Sequence, residues 1–154
     1  MNQTMTENLL QDFAKNFDDG MFPADLLHKY ELMECLANNE QGETFLVKKR
    51  QTGEFLVAKC YTGDNSLGSV KEGDLLRSIQ NDHVPAFIEE YQNEQMMCVL
   101  REYVEGVSLD QYVLEKPIYM REAISICIQL CDDLAYLHGQ TPAIIHRDIK
   151  PQNI

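Results

Sequence analysis

The spacing of apolar positions changes several times along the chain. Near the start, Leu9, Leu10, Phe13 and Phe17 recur at helical intervals, between Thr6 as a cap and Gly20 as a stop. This predicts a short amphipathic helix over Thr6–Phe17, which docks on the rest of the domain or binds a partner. From Tyr30 to Cys60 the pattern is that of two strands and part of a third. Phe45-Leu46-Val47 is a β-rich run, charged Lys48-Lys49-Arg50 follows, Thr52-Gly53 makes a turn, and Phe55–Cys60 is a second run. Turn signals fill Thr62–Gly68. Leu75, Leu76 and Ile79 then predict a helix over Val70–Gln80, weakened by Gly73. Val84–Tyr91 and Met96–Tyr103 read as two more strands joined by the polar Gln92–Gln95 turn, and Gly106 marks a break. Leu109–Leu114 is a short helix. Ile118–His138, after Pro117, is the longest periodic segment. Its stripe of Ile124, Cys127, Cys131 and Leu134 is flanked by Leu130 and Leu137, and Gly139 is its stop. Strands, a helix, more strands and then helices indicate an α+β fold.

Composition narrows the partners. A chain of 154 residues suits one domain, and its apolar fraction of 44% is enough for a sizeable core. The net charge of −12 repels phosphate backbones and anionic lipid, so neither nucleic acid nor a membrane is expected as the main partner. Its plainer meaning is a solvated acidic surface. The five cysteines are odd in number, form no Cys-x-x-Cys, and have no histidine at metal-ligand spacing. Cys127 and Cys131, four apart on an apolar helical stripe, are expected to be core thiols rather than ligands. This usage fits a reducing cytoplasm. Met1–Glu7 has no basic patch and no apolar run follows, so no secretory signal is read there. No stretch approaches the apolar length of a membrane span.

The most informative segment is His146-Arg147-Asp148-Ile149-Lys150-Pro151-Gln152-Asn153, directly after the apolar pair Ile144-Ile145. Five polar or charged side chains at this spacing have the layout of a loop that sets one carboxylate and one amide around a phosphate and its metal. Five specified residue types arise by chance about once in a million starting positions.

With that loop in place, the chain resembles the first half of a protein kinase domain, of the Ser/Thr type common in bacteria, over roughly Tyr30–Ile154. The resemblance implies a kinase N-lobe, an antiparallel sheet plus one helix, over residues 30–101. A hinge over 102–107 and the start of a C-lobe over 108–154 would follow, with 1–29 as an N-terminal extension. It implies a Ser/Thr protein kinase that uses ATP and Mg²⁺ and acts on a protein hydroxyl. Asp148 would accept the substrate hydroxyl's proton and orient it. Lys150 would neutralise charge on the transferred group, and Asn153 would offer its amide oxygen to Mg²⁺. His146 and Arg147 are expected to hold the loop. Lys59, ending Val57-Ala58-Lys59, would hold the nucleotide's phosphates, paired with Glu72, for which Lys71 and Asp74 compete in register. Val57 stands where the family has alanine over the adenine. In Cys98–Gly106, the Glu102 carbonyl and the Val104 N–H would meet the adenine edge. Arg101 is expected to pair with Glu72 or another carboxylate, or to point away.

Two departures bear on activity. The phosphate-covering segment Leu36–Thr44 keeps only Gly42 where the family has three glycines. The Asp-Phe-Gly segment that would supply the metal-binding aspartate is absent from the sequence. The 154 residues are therefore expected to be a truncated fragment, inactive alone, whose 118–138 helix needs a missing C-lobe or a partner to cover it. The alternative is a degenerate kinase-like binding or regulatory protein without catalysis.

Overall fold

Alternation of buried and half-buried side chains along Gly42–Lys49 divides the sheet into two faces, with Phe45 and Val47 on the sealed one. The computed structural model describes residues 22–39, 42–62, 66–94 and 96–154; the Thr6–Phe17 helix and the Glu40-Gln41 part of the glycine-poor segment lie outside them. The strands are β1 (Tyr30–Asn39), β2 (Gly42–Lys49), β3 (Phe55–Thr62), β4 (Phe87–Gln92) and β5 (Met96–Glu102). They form one antiparallel sheet in the order β1-β2-β3-β5-β4. Helix α1 (Ser66–Ser78) carries the chain from β3 to the far edge strand β4; α2 (Leu109–Glu115) and α3 (Met120–His138) follow the sheet.

Register creates the core. Phe45 lies opposite Ala58, Val47 opposite Leu56, Ala58 opposite Leu100 and Cys60 opposite Cys98. These side chains, with Phe22, Leu26 and Tyr30 from the segment before and at the start of β1, form one buried cluster. The Phe22 ring meets Phe45 edge-on, with centroids 5.8 Å apart. Period-2 alternation sends Val57, Lys59 and Tyr61 to the other face, opposite Arg101, Val99 and Met97. α1 packs against β4 and β5 at Gly73, where a Cβ would lie 2.2 Å from the Glu90 carboxylate and 3.6 Å from Val99. That close approach explains the helix-weakening glycine. Arg77 fixes the helix end, its guanidinium 4.5 Å over the Phe87 ring and bridging Asp74 and Glu90.

Among the described residues, one compact unit takes in those up to Arg77 with Phe87–Tyr103, and a second takes in Ser78–Ala86 with Val104–Ile154. Within the second, Tyr112 joins α2 to Glu122 of α3 at 2.8 Å. The Gln80 N–H donates to the Tyr136 hydroxyl, and Asn81 and His83 both meet the Asp133 carboxylate.

Several expectations need correction. α1 begins at Ser66, inside the expected turn, and β4 begins only at Phe87. Cys127 and Cys131 are exposed thiols rather than core ones. The reason is that α3 buries Leu137 and leaves Ile124 and Ile128, which flank these cysteines, 51% and 56% exposed. Gly139 ends α3 in a right-handed conformation, its N–H bonded to the Ala135 carbonyl. Its small size, with Ala135 O 3.2 Å from where a Cβ would be, matters there and not a positive φ.

Candidate active site

In the first unit, Lys59 Nζ lies 3.1 Å from Glu72 Oε2, so β3 and α1 are joined by an ion pair. Glu72 is thus the α1 carboxylate that meets Lys59, while Asp74 pairs with Arg77. Both side chains are about a third exposed, and such a pair contributes about 0–1 kcal/mol. Its consequence is positional, because it holds an ammonium at a defined place on the sheet face.

The sequence reading missed Tyr61. Two residues after Lys59, it lies on the same face, and its hydroxyl donates to the same Glu72 oxygen. Burial, then this hydrogen bond, push the Tyr61 phenol well up, so it stays a donor across the ordinary pH range. The Lys59 ammonium also lies 5.0 Å over the Tyr61 ring. Strand alternation after Lys59 was the signal that could have found it.

Val57 is buried on this face opposite Arg101. Arg101 makes no ion pair with Glu72, and its Nε is buried without a hydrogen-bond partner. Gly42 has φ +142°, and a Cβ there would lie 2.2 Å from the Cys60 carbonyl oxygen. The approach of β2 to β3 thus requires this glycine before any ligand is considered. Glu102 ends β5 opposite Leu56, exposed at its side chain. Val104, assigned to the second unit, is 64% exposed.

The second unit carries the polar loop. Lys150 Nζ and Asn153 Nδ2 each lie 2.9 Å from Asp148 Oδ2, and Asn153 Nδ2 also donates to the Asp148 carbonyl at 2.8 Å. The Asp148 N–H donates to His146 Nδ1. Arg147 between them adopts φ +68°, rare for a residue with a side chain. A turn over Pro151–Asn153 brings Asn153 back, and the Leu109 N–H anchors it by donating to the Ile154 carbonyl at 2.7 Å. Hydrogen bonds from Lys150 and then Asn153 hold the Asp148 carboxyl below the usual carboxylate range. The loop therefore presents one ionised carboxylate beside one ammonium, both open to solvent. Asn153's amide nitrogen is engaged by the Asp148 carbonyl and carboxylate, and its amide oxygen takes no part in these contacts.

As a metal centre the donor set is short. No group of three or more His, Cys, Asp or Glu suited to a metal occurs among the described residues. Asn153 and Asp148 would give Mg²⁺ one amide oxygen and one carboxylate already shared with Lys150; other ligands would have to come from elsewhere.

Residues 30–154 match the family model described as protein kinase domain. The chain belongs to the protein kinase family. This kinase domain is 30% identical over 143 residues to serine/threonine-protein kinase D of Synechocystis, covering 84% of this chain and 27% of that protein. It is 29% identical over 134 residues to a probable serine/threonine-protein kinase of Clostridium perfringens, covering 82% of this chain and 19% of that one. With serine/threonine-protein kinase TIO of Arabidopsis thaliana it shares 26% over 130 residues, 81% of this chain and 10% of that protein. The chain thus spans about a quarter or less of the length of these relatives. Among the described residues, no helix is long and apolar enough to cross a membrane.

Proposed function

We propose that this chain carries the nucleotide-holding and hydroxyl-orienting parts of a cytoplasmic Ser/Thr protein kinase, which transfers the γ-phosphate of Mg-ATP to a protein hydroxyl. The observation that carries this reading is the convergence of Lys150 and Asn153 on one Asp148 oxygen. A carboxylate kept ionised and aimed by two donors suits a group that must accept a hydroxyl proton and orient its oxygen. Lys59, fixed by Glu72 and Tyr61, is the counterpart for phosphate. Val57 and the backbone at Glu102 and Val104 would meet the adenine, Gly42 would lie beside the phosphates, and Asn153 would give Mg²⁺ an oxygen. Residues 30–101 would be the N-lobe, 102–107 the hinge and 108–154 the opening part of the C-lobe. The exposed Ile124–Ile128 side of α3 is where further chain or a partner would pack.

The 154 residues by themselves are proposed to be inactive, since no Asp-Phe-Gly is present to complete the metal site. The test is calorimetric titration with Mg-ATP beside a phosphate-transfer assay with labelled ATP and a Ser/Thr peptide. Lys59→Ala should weaken nucleotide binding at least about tenfold, about 1.4 kcal/mol, Asp148→Asn should change it less than about twofold, and no label should transfer. Equal binding by wild type and Lys59→Ala would sink the nucleotide assignment. Transfer that Asp148→Asn abolishes would instead uphold the kinase reading and overturn the inactivity. A second reading, a degenerate kinase-like binding or regulatory protein without catalysis, draws on the single glycine in Leu36–Thr44; absence of nucleotide binding at millimolar concentration would favour it.

A further inference from the structure

The core face of the sheet holds two free thiols that the proposed reaction does not use. Cys60 and Cys98 are opposite one another in the β3–β5 ladder, their Sγ atoms are 2.9 Å apart, and both are free thiols. They are 2% and 0% exposed. The geometry points to this pair as an oxidation site, where a small hydroperoxide converts the two thiols into a cross-strand disulfide that clasps β3 to β5.

Backbone geometry allows it. Directly opposed residues of an antiparallel pair have Cα atoms about 4.5–5.5 Å apart, inside the roughly 4.4–6.8 Å range of disulfides. The sulfurs need to close to about 2.0 Å, a shift of under 1 Å that side-chain rotation can supply. The exposed cysteines of α3 are one helical turn apart and lack such a facing partner. The chemistry needs a two-electron oxidant, and hydrogen peroxide is one. One sulfur takes a peroxide oxygen as the O–O bond breaks, giving a sulfenic acid and one water. The second sulfur then attacks the sulfenic sulfur; the S–S bond forms and the hydroxyl leaves with the second thiol's proton as another water. Two thiols and one peroxide thus become one disulfide and two waters.

Burial shapes the kinetics. Bulky disulfides cannot reach sulfurs sealed among Phe45, Leu56 and Leu100, whereas a molecule of peroxide's size can enter on small fluctuations of the core. The hydrogen bond shared with Cys60, and then burial, hold the Cys98 thiol well above the usual thiol range, which keeps it a thiol at rest. The pair therefore stays reduced under mild conditions and oxidises slowly. Once formed, the link closes a loop containing α1 and Glu72, and it adjoins Lys59 in sequence. It does not depend on the proposed kinase reaction.

The experiment exposes the full folded chain to hydrogen peroxide, alkylates all remaining thiols after denaturation, and maps the peptides by mass. The expected result is a linked peptide pair containing Cys60 and Cys98, cleaved by dithiothreitol. A rise in thermal midpoint of roughly 10 °C or more should accompany it and reverse on reduction. Cys98→Ala and Cys60→Ala should each abolish link and rise, and either variant alone suffices if the other fails to fold. Full alkylation of both residues in the peroxide-treated wild type overturns the proposal. So does oxidation confined to Cys35, Cys127 and Cys131, or conversion of the pair to sulfinic acids without a link.

Discussion

The Lys59 cluster of the first unit and the Asp148 loop of the second are built in opposite ways. Lys59 is aimed from a distance: its partner Glu72 is 13 residues away, and Tyr61 is 11 from Glu72. The strand that carries Lys59 is held by a sealed core on the reverse face. Asp148 is aimed from nearby, by groups two to five residues away in one exposed loop. The first arrangement depends on everything that holds the sheet together, while the second depends on loop geometry and one backbone anchor at Ile154. Stability and positioning are therefore coupled in the sheet and nearly separate in the loop.

The comparison breaks most visibly under core truncation. Phe45→Ala should cost about 3–5 kcal/mol in urea unfolding and disturb the Lys59 side with it, whereas Ile128→Ala on the open side of α3 should stay within about 0.5 kcal/mol. Similar losses for the two would mean that α3 is as tightly packed as the sheet. Glycine substitutions sharpen the contrast at smaller scale. Gly42→Ala pushes a methyl into the Cys60 carbonyl at a strained φ and should cost about 1–3 kcal/mol. Gly106→Ala, with open space around it, should change stability by less than about 0.5 kcal/mol.

A smaller effect is expected at Tyr61→Phe. It removes one donor from Glu72 and should destabilise by about 0.5–1.5 kcal/mol, with Lys59 left as the remaining partner; no loss at all would deny the tyrosine a positioning role. The smallest effect is a titration. Because Asp148's folded pKa is depressed, its favourable contribution is present above the ordinary carboxylate value and is lost as pH falls through the folded one. Solvent screening keeps that contribution slight. By carbon-detected NMR, Lys150→Ala should move the Asp148 midpoint upward toward the ordinary carboxylate value. An unmoved midpoint would mean that Lys150 does not hold the carboxylate in solution.

Much of the fold was legible in the chain because strand and helix periods are local. The runs at Phe45–Val47 and Phe55–Cys60, and the polar turn before Met96, each carry their pattern within a few residues. Boundaries were less legible. The turn-like residues before Val70 join α1, as packing of the helix on β4 and β5 overrides the weak propensity of Gly68 and Gly73. The Cys127–Cys131 stripe misled because period alone marks an apolar face without saying what covers it.

By itself, the sequence determined the α+β order of elements and the Asp148-Lys150-Asn153 arrangement, whose contacts close within five residues and need only a tight turn. Only the tertiary structure decided that Glu72 meets Lys59, that Tyr61 joins them, and that Cys60 faces Cys98 across 38 residues. Those choices depend on strand register and on the rotation of α1 against the sheet. Both are set by which distant side chains fill the core together, and no local pattern encodes that.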